Sequence, residues 1–257
     1  MGGQIEGIFA VVPAAGRGTR LGSHLPKLLT SIGAGITIWT LLSGKLLTLV
    51  EHINVIVSPE GEPLMRSAVE RSVLSGRVSV SIQPEPLGMG DAIFRGFPVW
   101  SRARAILVVW GDQAFVSAST LTGACTLHGG KPRTIALPVV TLPEPYAEYV
   151  FANDGSLIAV RQSREGDSCA LNGYADVGVF VLSAADLQTA WTTFSEGAAR
   201  GALTGEMNFL PFLPFLSSEG WSVERLLVGD PREARGINTP EDLEYLRLAI
   251  AHEHRTR

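Results

Sequence analysis

The sequence predicts an α/β protein in which helices cover both faces of a mixed, mostly parallel β-sheet. Short runs of β-branched and other apolar residues alternate with longer amphipathic stretches, which is the pattern of strands followed by crossover helices. A length of 257 residues, 46% of them hydrophobic and 18% charged, is enough for one large core. The first predicted strand, residues 8–12, ends at a Gly-x-Gly turn among basic residues, at the edge where such sheets form their sites.

The remaining strands and helices follow from this alternation. Strands are predicted at residues 8–12, 53–57, 78–82, 105–109, 134–140, 157–160, 177–182 and 222–227. Helices are predicted at residues 36–50, 62–74, 90–97, 184–194 and 240–252. The last helix has the clearest start, because Thr239 can cap it, Pro240 fits its first turn and two acids follow near the positive end of its dipole.

No internal repeat, low-complexity tract or linker divides the sequence, so residues 1–257 are predicted to form a single domain. Residues 142–155 contain prolines and a glycine, and they predict a loop or a hairpin. The turn of that hairpin would be Asn153-Asp154-Gly155, a sequence typical of tight connections between antiparallel strands.

Charge and cysteine content narrow the class of protein. The formal net charge is −4 at pH 7, whereas a nucleic-acid-binding face is normally basic. The amino-terminal residues lack the regions of a signal peptide, and no apolar segment is long enough to span a bilayer. Cys125 and Cys169 have no metal-ligand spacing and are predicted to be reduced thiols. We therefore expect a cytoplasmic protein without a nucleic-acid or membrane partner, and a homo-oligomer stays open.

The Gly-x-Gly turn is Gly16-Arg17-Gly18, and it predicts a phosphate site. Glycine has no Cβ, so backbone N–H groups can approach a phosphate chain there, and Arg17 and Lys27 add positive charge. Leu21 stands where the dinucleotide-binding fingerprint needs a third glycine, and no P-loop sequence occurs. The turn is therefore interpreted as a nucleoside triphosphate loop of another type.

The residues around this turn resemble a known signature. Residues 13–21 read Pro-Ala-Ala-Gly-Arg-Gly-Thr-Arg-Leu, and Pro-Lys-Leu-Leu follows at residues 26–29. Segments at residues 83–92, 108–113 and 236–243 resemble the same family in the same order. The chain thus resembles the nucleotidyltransferases that make nucleotide sugars, including the N-acetylglucosamine-1-phosphate uridyltransferases and the cytidylyltransferases. This resemblance implies a Rossmann-like, GT-A-like three-layer sandwich.

The reaction that the resemblance implies is attack by a phosphate oxygen on the α-phosphorus of a nucleoside triphosphate, with Mg²⁺ as cofactor and pyrophosphate as product. Such chemistry depends mostly on positioning and charge neutralisation, which fits a sequence without a Ser-His-Asp or paired-carboxylate arrangement. The nucleotide would bind in about residues 1–125 and a phosphorylated small molecule in about residues 126–257. The implied catalytic residues are Arg17, at the leaving phosphates, and Lys27, at the α-phosphate.

The resemblance also implies a set of nucleotide and metal contacts. The implied nucleotide-binding residues are Ala14, Ala15, Gly16, Gly18, Gln83, Gly88 and Asp112. Asp112, which follows a buried strand, and Asn238 are the implied Mg²⁺ ligands, although Asn238 has an alternative role as a helix cap. Gln83 and Gly88 would read the base, which is usually a pyrimidine in this family. Met89 replaces a common threonine, so UTP, CTP and dTTP stay open.

The acceptor side departs from the family pattern. The implied acceptor-binding residues are Tyr146, Arg161, Asp176 and Glu206. An acid that the family places after a strand is aligned with Arg161, and Arg164 is close by in sequence. A guanidinium binds phosphate-like groups well, so this change favours a smaller or more anionic acceptor. Surface positions for both arginines are an equally open interpretation, as is a helix-capping role for Glu206.

Several activities are therefore compared. The favoured one is transfer of a pyrimidine nucleotide to a sugar 1-phosphate, and a cytidylyltransferase acting on a phosphonate or another non-sugar phosphate is the alternative. Molybdenum-cofactor nucleotidyltransferases share the opening motif but use a purine, and residues 83–90 argue against them. A nucleotide-sensing subunit without turnover is the alternative from another class. It would not need Lys27 and Asp112, and both are present.

Overall fold

The structure is a computed structural model, and it describes residues 5–16, 26–33, 35–72 and 75–255. Its strands are β1 (Ile8–Pro13), β2 (Ser31–Gly33), β3 (Ile36–Thr37), β4 (His52–Val57), β5 (Val78–Ile82), β6 (Ala105–Val109), β7 (Thr134–Leu142), β8 (Ala147–Phe151), β9 (Leu157–Gln162), β10 (Gly173–Asp176), β11 (Val179–Ser183) and β12 (Ser222–Leu227). Its helices are α1 (Ile38–Leu46), α2 (Glu62–Glu70), α3 (Met89–Arg95), α4 (Phe97–Trp100), α5 (Ala118–His128), α6 (Leu187–Gly197), α7 (Phe212–Ser218) and α8 (Pro240–Arg255).

The central sheet has the order β10-β7-β11-β6-β1-β4-β5, with β12 also paired to β7. β1 runs parallel to both β4 and β6, and β4 runs parallel to β5. β11 runs antiparallel to both β6 and β7, so the strand direction reverses next to β6. The carboxyl ends of β1 and β6 thus lie side by side near this reversal, which is where ligands bind in open α/β sheets.

The sheet separates two apolar cores. Ile8, Ala10 and Val12 of β1 pack into one core, and Phe9 and Val11 pack into the other, because alternate residues of a strand face opposite sides. Helices α1, α2, α5 and α8 contribute to the first core, and α3, α4, α6 and α7 contribute to the second. The predicted α/β three-layer sandwich with a mostly parallel mixed sheet is therefore confirmed.

A strand and two helices begin later than the sequence predicts, because a turn or a cap precedes them. Strands at residues 78–82, 105–109 and 222–227 have the predicted bounds. The strand predicted at residues 177–182 begins instead at Val179, as β11, because the backbone turns at Gly178, whose φ is +71°. Strand β10, which precedes this turn, has no predicted counterpart. The helix predicted from residue 36 begins at Ile38, since Thr37 caps it by accepting a hydrogen bond from Thr40 N. The helix predicted from residue 184 begins at Leu187, after Asp186 at φ +64°.

Helix α5 differs from the prediction, and the hairpin of β8 and β9 agrees with it. Helix α5 has no predicted counterpart, because its small and polar residues show little periodicity, yet Leu121 and Ala124 are fully buried. The hairpin predicted within residues 142–155 is confirmed as β8 and β9, with Ala152 N donating to Ser156 O at 2.9 Å across the turn. None of the helices in the described ranges is long and apolar enough to cross a membrane.

Candidate functional site

Two adjoining cavities lie beyond the carboxyl ends of β1 and β6. The first cavity is lined mainly by the residues after β1 and by the loop before α3. The second cavity is lined mainly by the β8–β9 hairpin, by β10 and by residues 206–210. The cavities share the side chains of Met89, Trp110, Asp112, Arg164 and Glu206. A group bound in one cavity would therefore lie next to a group bound in the other.

The first cavity brings together the predicted nucleotide-side residues that the structure describes. These are Ala14, Ala15, Gly16, Lys27, Gln83, Gly88 and Asp112. Arg17 and Gly18 lie outside the described residues. The loops after β1 and β6 approach each other closely at Gly111, where a Cβ would lie 3.1 Å from the Ala14 Cβ. Backbone rather than bulky side chains therefore forms this part of the wall.

Lys27, Asp112 and Asn238 form a polar cluster between the two cavities. Lys27 Nζ donates to Asn238 Oδ1 at 2.9 Å and lies 3.3 Å from Asp112 Oδ2. Gly236 permits this approach, because a Cβ there would lie 3.0 Å from Asn238 Nδ2 and 3.1 Å from Asp112 Oδ2. The backbone N–H of Ile237 donates to Asp112 O at 3.0 Å. One carboxylate oxygen, from Asp112, and one amide oxygen, from Asn238, thus both contact the ammonium group of Lys27.

Asn238 does not cap helix α8 with its side chain. The Oγ1 atom of Thr239 accepts a hydrogen bond from Asp242 N at 3.2 Å, as the sequence predicts for a capping residue. Asp242 Oδ2 in turn accepts from the backbone N–H groups of Asn238, at 3.0 Å, and Thr239, at 2.9 Å. The Asn238 side chain is therefore available to the cluster with Lys27.

The loop before α3 is held by Gln83. This residue is 5% exposed, and its Nε2 donates to Gly88 O and to Asp91 Oδ2, both at 2.9 Å. Gly88 has a φ of +112°, and a Cβ there would lie 2.6 Å from Met207 O. Met207 N also donates to Leu87 O at 2.8 Å. Glycine at position 88 is thus required for the close contact between this loop and the segment before α7.

The second cavity contains three of the four predicted acceptor-side residues, Tyr146, Asp176 and Glu206. Tyr146 is 61% exposed and lies at the rim. Asp176 accepts hydrogen bonds from Gly178 N at 2.6 Å and from the Tyr149 hydroxyl at 3.0 Å. Burial raises the pKa of Asp176, and burial together with the neighbouring carboxylate raises the pKa of Tyr149 well above its usual value. The Asp176 carboxylate is therefore held by partners inside the protein.

Arg161 is the predicted acceptor-side residue that lines neither cavity. Strands β8 and β9 pair Ala147 with Gln162, and both of these residues line the second cavity. The adjacent pair, Glu148 and Arg161, faces away, because successive residues of a strand point to opposite sides. Arg161 Nη1 lies 3.2 Å from Glu148 Oε2. In the sequence analysis, the acid of the family is aligned with Arg161. The residue that faces the cavity is its neighbour Gln162.

Arg164 and Glu206 form an ion pair at the junction of the two cavities. Arg164 Nη2 donates to Glu206 Oε2 at 2.7 Å. Glu206 does not cap the following helix, because α7 begins only at Phe212. Of the two arginines that the sequence singles out in this region, the structure brings Arg164 to the site and leaves Arg161 outside it.

Glu165 anchors the segment that carries Glu206. Its carboxylate accepts hydrogen bonds from Leu203 N at 3.0 Å, from Thr204 Oγ1 at 2.7 Å and from Asn208 Nδ2 at 3.1 Å. These bonds, with the Leu203 N–H the largest contribution, lower the pKa of Glu165 to about 2. The carboxylate is therefore ionised at neutral pH and joins two loops that are distant in sequence.

Sequence reasoning missed several polar or aromatic residues of the second cavity: Trp110, Gln113, Gln162 and Asn208. Trp110 and Gln113 flank the predicted Gly-Asp pair at residues 111–112, so the same motif could have indicated them. Alternation along β9 gives no clear signal for Gln162, since Ile158, on the same side of the strand, is 59% exposed and lines neither cavity. Asn208 carries no such signal, because it reaches the site through its contact with Glu165.

Comparison with known protein families agrees with this geometry. The model of the MobA-like NTP transferase domain matches residues 10–173, which is more than half of the chain. The chain belongs to this family. The matched part of this MobA-like domain includes Lys27, Gln83 and Asp112, whereas Glu206 and Asn238 lie beyond it and reach the site through the tertiary fold.

Curated relatives of this MobA-like domain are bifunctional GlmU proteins. The GlmU protein of Acidithiobacillus ferrooxidans is 27% identical over 243 residues, which cover 92% of this chain and 50% of that protein. The GlmU protein of Mycolicibacterium smegmatis is 28% identical over 260 residues, which cover 95% of this chain and 52% of that protein. The chain thus spans about half the length of these relatives. The resemblance to nucleotide-sugar-type nucleotidyltransferases is confirmed at the level of the family.

Proposed function

We propose that this protein transfers a nucleotidyl group from a nucleoside triphosphate in the first cavity to a phosphorylated small molecule in the second, releasing pyrophosphate. The cluster between the cavities is the observation that supports this most. Lys27 lines the first cavity, Asn238 lines the second and Asp112 lines both. Positive charge is thus placed where the phosphates of two substrates would meet, and this is where negative charge develops in such a reaction.

The residues of the first cavity suit the donor nucleotide. The backbone of Ala14, Ala15 and Gly16 can approach the phosphates, and the ammonium of Lys27 would stabilise charge at the α-phosphate. Arg17 is proposed to contact the leaving phosphates. A phosphate monoester is already ionised near neutral pH, so the acceptor needs no general base. The absence of such a base from the predicted site is therefore compatible with the reaction.

Asp112 and Asn238 are the proposed Mg²⁺ ligands. Both present an oxygen to one cation, Lys27 Nζ, and Gly236 leaves room for them to do so. Within the described residues, no group of three or more His, Cys, Asp or Glu side chains is placed to hold a metal. Two protein oxygens fit Mg²⁺, which commonly takes its other ligands from phosphates and water. When bound, the ion would neutralise and orient the phosphates.

The proposed donor is a pyrimidine nucleotide, and the proposed acceptor is a sugar 1-phosphate. Gln83 and Gly88 line the first cavity in the segment that resembles the base-reading part of the nucleotide-sugar enzymes. The match to GlmU proteins supports the same branch of the family. UTP, CTP and dTTP all satisfy this proposal.

A thermal-shift panel of ATP, GTP, CTP, UTP and dTTP, each with and without Mg²⁺, tests the donor. A ligand that binds the folded state at about 100 times its Kd adds about 2.7 kcal/mol of stability. We expect a Mg²⁺-dependent rise in Tm with one or two pyrimidine nucleotides, followed by pyrophosphate release when a sugar 1-phosphate is added. A purine preference would contradict the proposed base. A nucleotide-dependent rise without pyrophosphate release from any phosphorylated acceptor would indicate a sensing subunit.

A further inference from the structure

Two buried glutamines in the second cavity have no role in the activity described so far. Gln113 is 6% exposed and Gln162 is 8% exposed, and both line the cavity. The Oε1 atom of Gln113 is enclosed and accepts no hydrogen bond from the described residues. Nearly all buried polar groups in folded proteins have a partner, so an unpaired amide oxygen on a residue that lines a cavity points to a ligand.

The position of the Gln113 side chain depends on the backbone conformation at Gly178. Gly178 has a φ of +71°, and a Cβ there would lie 2.7 Å from Gln113 Cδ and 2.8 Å from its Nε2. Glycine at position 178 therefore creates the space that the glutamine side chain fills. An unpaired buried amide costs about 1–3 kcal/mol. The fold thus keeps, at a cost in stability, an unpaired amide oxygen on a residue that lines the second cavity.

The charged side chains of the second cavity are already paired within the described part of the chain. Asp112 lies 3.3 Å from Lys27 Nζ, and Arg164 lies 2.7 Å from Glu206. The carboxylate of Asp176 accepts hydrogen bonds from Gly178 N and the Tyr149 hydroxyl. The hydrogen-bonding capacity of Gln113 is different, because its amide does not ionise and contains both a donor and an acceptor. Rotation about its last torsion exchanges the two.

We propose that Gln113, together with Gln162, is a specificity-determining residue that binds an uncharged hydrogen-bonding group, a hydroxyl or an amide, on the body of the acceptor. This inference rests on the proposed function, in which the second cavity holds the acceptor. Acceptors whose body carries a carboxylate, a second phosphate or an ammonium would be used poorly, because the described charges of this cavity already have partners. The anionic acceptor that Arg161 and Arg164 favour at the level of sequence is not supported by this arrangement, because Arg161 lines neither cavity and Arg164 is paired with Glu206.

The first test compares Gln113→Met with Gln188→Met. Both glutamines have an enclosed Oε1 without a partner among the described residues, but Gln188 is on α6 and lines neither cavity. Methionine has a similar size and removes the unpaired polar group, so both variants are expected to keep or raise the Tm. Only Gln113→Met should raise the acceptor KM, by about tenfold, without a change in nucleotide Kd. Gln162→Met should raise the acceptor KM in the same direction. An unchanged acceptor KM in Gln113→Met would overturn the inference.

The second test measures pyrophosphate release from three matched acceptors, with the nucleotide that raises the Tm most. N-acetylglucosamine 1-phosphate has a neutral body. Glucosamine 1-phosphate has an ammonium in place of the acetamide, and N-acetylglucosaminuronic acid 1-phosphate has a carboxylate in place of the C6 hydroxymethyl group. We expect a kcat/KM at least about tenfold higher for the neutral acceptor, and a smaller difference in Gln113→Met. Equal use of a charged acceptor would overturn the inference, as would a nucleotide-dependent Tm rise without turnover of the neutral one. A lack of any nucleotide-dependent Tm rise would instead overturn the proposed function, and this inference with it.

Discussion

The two cavities are constructed from different parts of the chain. The first is formed largely by backbone and small residues at the ends of buried strands, such as Ala14 and Gly111, and by the loop around Gly88. The second is formed largely by side chains from a hairpin, an edge strand and a segment before α7 that Glu165 holds in place. A glycine-rich turn specifies its shape locally, whereas a side-chain site requires distant segments to be placed first. The first cavity is therefore recognisable in the sequence, whereas the second depends on how distant segments are placed.

Substitution of Lys27 is expected to have the largest effect on activity, because Lys27 lies where the two cavities meet. Lys27→Ala is expected to lower kcat by about 10²–10³-fold, since charge in the transition state loses its stabilising cation. The rise in Tm with nucleotide should remain largely intact. Steady-state pyrophosphate release and thermal shift measure the two effects.

Lys131→Ala is the matched control for Lys27→Ala. Lys131 is 54% exposed, and it pairs on the surface with Glu224 at 3.3 Å. An exposed ion pair contributes little, so turnover should be unchanged in this variant. Equal losses of nucleotide affinity and turnover in Lys27→Ala would show that Lys27 only binds the donor.

Gly88→Ala tests whether the first cavity depends on backbone shape. A Cβ at position 88 combines a φ of +112° with a clash against Met207 O at 2.6 Å. Gly155→Ala is the control, because Gly155 has a φ of +88° but no atom within 4 Å of the added Cβ. We expect about 1 kcal/mol of destabilisation at position 155 from strain alone and about 2–3 kcal/mol at position 88. Urea denaturation measures the free energy of unfolding of both variants. Equal losses would show that the contact with Met207 O does not add to the cost at position 88.

Arg164→Ala and Arg161→Ala sharpen the description of the second cavity. Arg164 lies at the junction of the cavities, whereas Arg161 pairs with Glu148 outside them. We expect the acceptor KM to rise about tenfold in Arg164→Ala, because Glu206 loses the partner that holds it at the junction. Arg161→Ala should change it by less than about twofold, and it should cost about 1–3 kcal/mol of stability, because the buried carboxylate of Glu148 loses a partner. A larger effect of Arg161→Ala on the acceptor KM would restore Arg161 to the site.

Glu165→Gln is expected to have the smallest effect at neutral pH, and the effect should depend on pH. The pKa of Glu165 is lowered from 4.5 to about 2 in the folded state, so its ionised form stabilises the fold above about pH 4.5. This stabilisation is lost as the pH falls through about 2. The variant should melt roughly 2–4 °C lower than the wild type at neutral pH, and the difference should disappear towards pH 2. Thermal unfolding from pH 7 to pH 2 measures it, and a constant difference would contradict the role of the carboxylate.

The sequence by itself determined the fold class and the main segments that form the first cavity. Buried strands bounded by turn residues can be recognised from composition, which is why residues 78–82 and 105–109 have the predicted bounds. Gln83, Gly88 and Asp112 lie together because each is in a loop at the same edge of parallel strands. Arg17 and Gly18 stay predictions, since they lie outside the described residues.

Only the tertiary structure decided which side chains face the second cavity. Gln162 lines the cavity and Arg161 does not, because neighbouring residues of a strand point to opposite sides. A motif alignment does not show which of the two faces the cavity, because it does not contain the register of the strand. Asn238 meets Lys27 across 211 positions of sequence, and the unpaired amide of Gln113 is visible only when every neighbouring partner is known. Local patterns specify which elements form, whereas the register and packing of distant segments specify what those elements place next to one another.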